Sequence, residues 1–151
     1  MTTINQLISE IGIISVKSVP PDSKWDKIVF SINILITYSE NTTEFYNKEE
    51  VKGTLGRYTD EHGKRISSSN TAWQLREEMY RESSENGAWY FMEMTILPEG
   101  KFHIQFNYDN RPEFSIPLDD SDFVKDYQKF PRSNECMPEW LREIIERNQI
   151  S

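Results

Sequence analysis

Two histidines, one cysteine and a surplus of carboxylates are the groups in this 151-residue chain with catalytic or metal-binding potential. His103 falls in an alternating segment, Phe102 to Tyr108, which puts it with Lys101, Gln105 and Asn107 on the side facing water. Glu93, in the segment before, can face the same side, and a Glu–His pair across two strands is competent for proton transfer. The same residues serve equally as an ordinary polar cross-strand pair. His62 sits in Asp60-Glu61-His62-Gly63-Lys64, which reads as a solvated turn. Cys136 has no histidine near it in sequence and reads as a semi-buried spacer, not a nucleophile. One cysteine and two histidines fall short of a structural zinc site, so no metal or cofactor is expected. No spacing marks two carboxylates as an acid–base couple. Gly-rich phosphate loops, dinucleotide-binding glycine patterns and the G-x-S-x-G elbow are all missing. The chain therefore reads as a binding protein; an enzyme built on scattered residues such as His103 and Glu93 is the rival reading.

Charge narrows the partner. Seventeen Lys and Arg stand against 25 Asp and Glu, a formal net charge of −8. Such a chain is repelled by phosphate backbones, so neither direct nucleic-acid binding nor attachment to an anionic membrane is expected. A cationic protein is the partner its field would attract, and acidity that serves solubility alone is the plainer reading, which charge by itself favours. A lone cysteine excludes an internal disulfide. Residues 1–10 show no secretory pattern, and Ile28 to Tyr38, the most apolar stretch, is too short to span a bilayer. The expected address is the cytoplasm.

The elements that must position these residues follow from periodicity. The length suits one domain, 1–151. Thr3 and Gln6 make a capping box for a helix with Ile4, Leu7, Ile8 and Ile11 as its apolar stripe, Gly12 as its end, and a β-like run Ile13 to Val16 beyond. Ile28 to Tyr38 alternates and predicts one long strand, with Ser39-Glu40-Asn41 as a turn and Thr42 to Tyr46 pairing back. The polar middle, Asn47 to Ser69, offers only short strand-like pieces such as Thr54-Leu55 and Arg57-Tyr58. Asn70 is the expected cap of a helix reaching about Glu85, with Ala72, Leu75 and Met79 on its apolar face. Its Glu77, Glu78, Glu82 and Glu85 read as a solvated face that Arg76 and Arg81 partly neutralise by local pairing. The clearest hairpin is Trp89 to Leu97, the turn Pro98-Glu99-Gly100, and Lys101 to Tyr108. Pro138 opens a closing helix with Trp140, Leu141, Ile144 and Ile145 inward. The expected fold is α+β: one domain, mainly antiparallel sheet, with helices at the N-terminus, middle and C-terminus.

One segment concentrates negative charge beside aromatic rings. Asp109, Glu113, Asp119, Asp120, Asp122 and Asp126 stand against Arg111 and Lys125, and Pro112 and Pro117 stiffen the connection. Carboxylates flanked by rings that exclude water suit capture of Lys and Arg. The expected contact residues are Asp109, Glu113, Phe114, Asp119, Asp120, Asp122 and Phe123. A plainer role is compatible with this: Asp119-Asp120-Ser121-Asp122 caps a following turn of helix.

The hairpin also carries a resemblance. Gly87-Ala88-Trp89-Tyr90, then Glu93-Met94-Thr95-Ile96-Leu97-Pro98-Glu99-Gly100-Lys101-Phe102, then Phe106-Asn107-Tyr108-Asp109, resembles the C-terminal half of the YezG-type immunity (antitoxin) proteins. Trp25-Asp26-Lys27-Ile28 is similar to an earlier strand opening of that family. Tyr127 to Arg132 with Pro138-Glu139-Trp140-Leu141 is similar to a tail in some immunity-type relatives. The resemblance implies an antitoxin of a polymorphic-toxin or contact-dependent inhibition system. It would bind a cognate basic toxin domain, commonly a nuclease, and block its active site or substrate groove. Asp109 is the acidic position the family pattern carries over. A non-catalytic adaptor or chaperone-like module is the alternative within the binding class.

Overall fold

The computed structural model describes residues 3–55, 58–59 and 61–148. Helix α1 (Ile4–Ser18) starts at the expected capping box, where Thr3 and Gln6 exchange side-chain-to-backbone hydrogen bonds of 2.8 and 3.1 Å. It does not stop at Gly12. Leu7, Ile11 and Ser15, four residues apart, form one buried stripe that carries the helix through the run read as β-like. The Ser15 and Ser18 hydroxyls are spent on the carbonyls of Ile11 and Ile14, which makes both serines compatible with a helix interior.

Strand β1 (Lys27–Ile34) alternates as predicted, with Ile28, Phe30, Ile32 and Ile34 inward. It then ends four residues early. Leu35 and Tyr38 exchange backbone hydrogen bonds around Ile36-Thr37, and Ser39 to Asn41, read as the turn, already belong to β2 (Ser39–Asn47). β3 (Glu50–Leu55) follows after a two-residue turn, so the polar middle contributes an edge strand. β4 (Tyr58–Thr59) and β5 (Arg65–Ile66) form a small separate ladder; Arg57, part of the expected Arg57-Tyr58 piece, lies outside the described residues.

Helix α2 (Ser68–Glu82) is capped by Ser67, whose hydroxyl accepts from Ser69 N–H, and not by Asn70, which lies inside it. The hairpin of β6 (Phe91–Ile96) and β7 (Phe102–Asn107) forms as predicted, its turn closed by Leu97 N–H to Lys101 O at 2.9 Å. Helices α3 (Asp120–Lys129) and α4 (Glu139–Arg147) complete the chain. The α+β expectation is met: the five-stranded antiparallel sheet runs β3-β2-β1-β6-β7. Among the described residues no helix is long and apolar enough to cross a membrane.

Two apolar clusters divide the core. The larger fills the space between α1, α2 and one sheet face, with Leu7, Ile11, Ala72, Leu75, Phe30, Trp89 and Met92. The smaller joins α3 and α4 to the end of the sheet through Leu35, Tyr90, Phe123, Leu141, Ile144 and Ile145. Consecutive residues straddle the boundary: Ile34 and Trp89 belong to the first cluster, Leu35 and Tyr90 to the second. That need to bury two neighbours in different directions is why β1 breaks its alternation at Leu35.

Between the clusters sits Arg76, expected on a solvated face and instead fully buried. Its guanidinium takes both oxygens of Asp126 at 2.8 and 2.7 Å, and its Nε donates to the Trp89 carbonyl at 2.6 Å. Arg81, in contrast, does pair locally with Glu77 and Glu78.

Candidate protein-interaction surface

The segment between β7 and α3 runs outside regular structure, yet it is held along its length. At its start the Tyr108 carbonyl accepts from Arg132 at 2.8 Å and the Asp109 carbonyl accepts from the Trp140 indole at 2.6 Å. Midway, Asn33 of β1 donates to the Glu113 carbonyl at 3.2 Å, and Glu40 of β2 accepts from Ser115 N–H at 2.7 Å and from its hydroxyl. Phe114 lies against Tyr38 with ring centroids 5.7 Å apart. Burial disfavours the Glu40 charge, but the bonds from Ser115 and Tyr38 outweigh it and hold that carboxyl below the usual range. Pro112 is buried and Pro117 exposed, and both restrict the backbone of the crossing.

These anchors frame a groove of about 510 Å³ whose walls include Arg111, Glu113, Phe114, Ile116, Leu118 and Phe123. Glu113 is open to water, as is Ile116, 46% exposed. Arg111 lies over the Phe123 ring at 5.0 Å, capping the small cluster from outside. The groove therefore offers a carboxylate, a guanidinium and an aliphatic tip on a fixed main chain.

The seven residues expected to make contacts fall into two groups. Asp109 keeps its carboxylate 75% exposed, with one oxygen 3.2 Å from the buried Arg132 guanidinium. Glu113, Phe114 and Asp119 are also at the surface, Phe114 partly. Asp122 takes part in the helix cap with Asp119, as the capping alternative has it, while Asp120 is engaged elsewhere. Asp122 accepts from Asp119 N–H at 3.1 Å and from the Thr37 hydroxyl at 2.7 Å, fastening the start of α3 to the β1–β2 turn. Asp120 takes Arg147 and Asn148 from the end of α4 at 2.6 and 3.1 Å. Those hydrogen bonds hold its carboxyl down at about 2. Phe123 backs the groove but is only 2% exposed, and it packs edge-on against Trp140 at 5.7 Å. Its place on the inner side of an amphipathic α3 explains why.

The residues of the family-like motif meet at one place. Arg132 binds the carbonyls of Tyr108 and Cys136 and the carboxylate of Asp109, and lies over Tyr90 at 5.6 Å. Gly87, at φ 78°, passes so close that a Cβ there would collide with the Arg132 guanidinium. Glycine is required at that position by both conformation and space. The sequence does not mark Arg76 as an organising residue, because an arginine among glutamates reads as solvated; for Arg132 the signal is its place after Tyr127, Phe130 and Pro131.

His103 and Glu93 do not form a pair. His103 stands opposite Thr95, Glu93 stands opposite Gln105, and His103 Nε2 reaches Gln105 at 3.4 Å. His62 lies beside Glu61, 3.6 Å away, with both side chains exposed. No cluster of three or more His, Cys, Asp or Glu suited to a metal occurs among the described residues.

A scan against protein-family models finds no match for the chain, and a search of curated proteins finds no match either. The likeness to immunity proteins accordingly rests on the motif residues quoted above.

Proposed function

We propose that the protein is a non-catalytic inhibitor that captures a cationic partner protein, in the manner of the immunity proteins its hairpin resembles. The observation that carries this reading is the 109–119 crossing. It holds Glu113 and Ile116 in water beside a groove, on a main chain already fixed by Asn33, Glu40, Arg132 and Trp140. A surface ordered before encounter spends less of its binding energy on ordering. The net charge of −8 steers a basic domain towards it. A basic nuclease domain is the partner that fits best, since phosphate binding demands the positive surface that an acidic inhibitor covers. The cytoplasm is the compartment where such an inhibitor protects the cell that makes it.

The test is capture from native cell extract on immobilised protein, followed by binding and nuclease assays on whatever cationic protein is retained. Glu113→Lys combined with Ile116→Glu alters two exposed side chains and none of the anchors. The variant is expected to bind at least tenfold more weakly while melting like the native chain, as for loss of about two interface contacts of 1 kcal/mol each. Retention of no positively charged protein, or unchanged capture by the variant, would sink the reading.

A further inference from the structure

The two edges of the sheet are built differently. β3 carries Glu50, Lys52 and Gly53, and its ladder with β2 is broken by an irregularity at Phe45/Tyr46. Charges and bulges of that kind discourage another strand from adding. β7 reads Phe-His-Ile-Gln-Phe-Asn, with no fixed charge, proline or glycine, and its register with β6 is unbroken from Phe102 to Asn107. The bond from Leu97 N–H to the Lys101 carbonyl sets the phase of that ladder. Odd-numbered residues of β7 turn their amides to β6, and Phe102, Ile104 and Phe106 turn theirs outward, where no described group bonds them.

An apolar groove of about 410 Å³ lies beside the same edge, between α1 and the sheet, walled by Ile8, Ile13, Val16, Met94, Ile96 and Phe102. Ile13, Val16 and Phe102 are 53%, 40% and 55% exposed. An open row of amides and an open apolar strip thus coincide.

We infer that β7 is the seam of a homodimer, two copies pairing their β7 strands antiparallel about a twofold axis at Ile104. Charge selects the second copy as occupant. The chain carries −8 overall, but this strand carries no fixed charge, so a like copy meets less repulsion along it than along β3, the charged edge. A cationic partner finds no carboxylate on the strand to pair with. A strand joined to itself antiparallel is also self-complementary and closed, which is the commonest symmetry of soluble oligomers. With Ile104 on the axis, Phe102 faces Phe106 of the second copy and His103 faces its Gln105. Phe102, Ile104 and Phe106 share the core-facing side, so the apolar row continues from one sheet into the next. Ile13 and Val16 of each α1 lie over that same side and cover the seam. This assignment is independent of the inhibitor reading.

The test is sedimentation equilibrium of the purified full chain, with two double variants at His103 and Gln105, which are exposed and outside the core. The native chain is expected at twice its 17.9 kDa mass. His103→Lys with Gln105→Lys sets like charges opposite each other twice across the axis and should weaken association roughly tenfold or more. His103→Glu with Gln105→Lys sets opposite charges there and should keep the dimer; both variants place a lysine opposite Glu93 within the hairpin, and circular dichroism should be unchanged in both. A native chain that stays monomeric at millimolar concentration overturns the inference. So does a Lys/Lys variant that associates as tightly as the Glu/Lys one.

Discussion

Arg76 and Asp126, fifty residues apart in the chain, meet through two parallel hydrogen bonds with no more than 3% of either side chain exposed. Each makes one further bond: Arg76 Nε donates to the Trp89 carbonyl and Asp126 accepts from Ile36 N–H at 2.9 Å. The pair thereby ties α2, α3, the start of the hairpin and the β1–β2 turn to one point. Phe130 covers the guanidinium at 5.1 Å.

Removing one partner leaves the other charge buried alone, which costs about 3–5 kcal/mol. Arg76→Ala and Asp126→Ala should each lower unfolding stability by that amount in urea titration. Arg76→Met with Asp126→Leu removes both charges and should recover a large part of the loss. A single variant within about 1 kcal/mol of native would show that the pair is not the junction described.

The β2–β3 turn stores strain at Lys48 and Glu49, with φ of 54° and 69°. Both are exposed, and the Lys48 amide donates to Asp26 at 2.8 Å. Asn-Gly is the pair such a turn favours. Lys48→Asn with Glu49→Gly should stabilise the fold by about 1 kcal/mol and raise Tm by roughly 2–4 °C. Calorimetry decides this, and a lowered Tm would contradict the turn geometry.

Tyr90 supplies a pH signature. Burial, with Asp126 nearby, pushes its phenol up to about 12, although Arg132 and Arg76 pull the other way. A phenol with a raised folded-state pKa contributes stability that is fully present below about pH 10 and lost as pH climbs through about 12. Tyr38, Tyr46, Tyr80 and Tyr108 are raised as well, so ultraviolet titration should show a late phase, and Tyr90→Phe should remove one phenol from its most alkaline part. Disappearance of a normal step near pH 10 instead would place Tyr90 in water.

Local patterns made much of this fold readable. The β6–β7 hairpin announces itself because alternation and a Pro-Glu-Gly turn agree, and α1 opens where Thr3 and Gln6 say it must. The β1–β2 turn did not announce itself: Ile36-Thr37 has none of the usual turn residues, and Ile34-Leu35-Ile36 reads as continuous strand. Only the existence of a second cluster, assembled from residues 90 to 145, explains why Leu35 turns away from Ile34. The site was partly readable for a similar reason. Charge counting found the 109–122 region. It could not tell Glu113, which faces water, from Asp120 and Asp122, which hold helices, because their partners Arg147 and Thr37 are remote in sequence.

Every hydrogen bond from α4, β1, β2 and Arg132 to the stretch from Tyr108 to Ser115, apart from those of the Ser115 hydroxyl and the Asp109 carboxylate, grips a peptide carbonyl or amide. The shape of this stretch is consequently indifferent to what projects at 113 or 116. Mutation can rewrite those tips one at a time while the chassis beneath them stays as it is. Change at those two tips is thereby uncoupled from the folding of the chain that carries them.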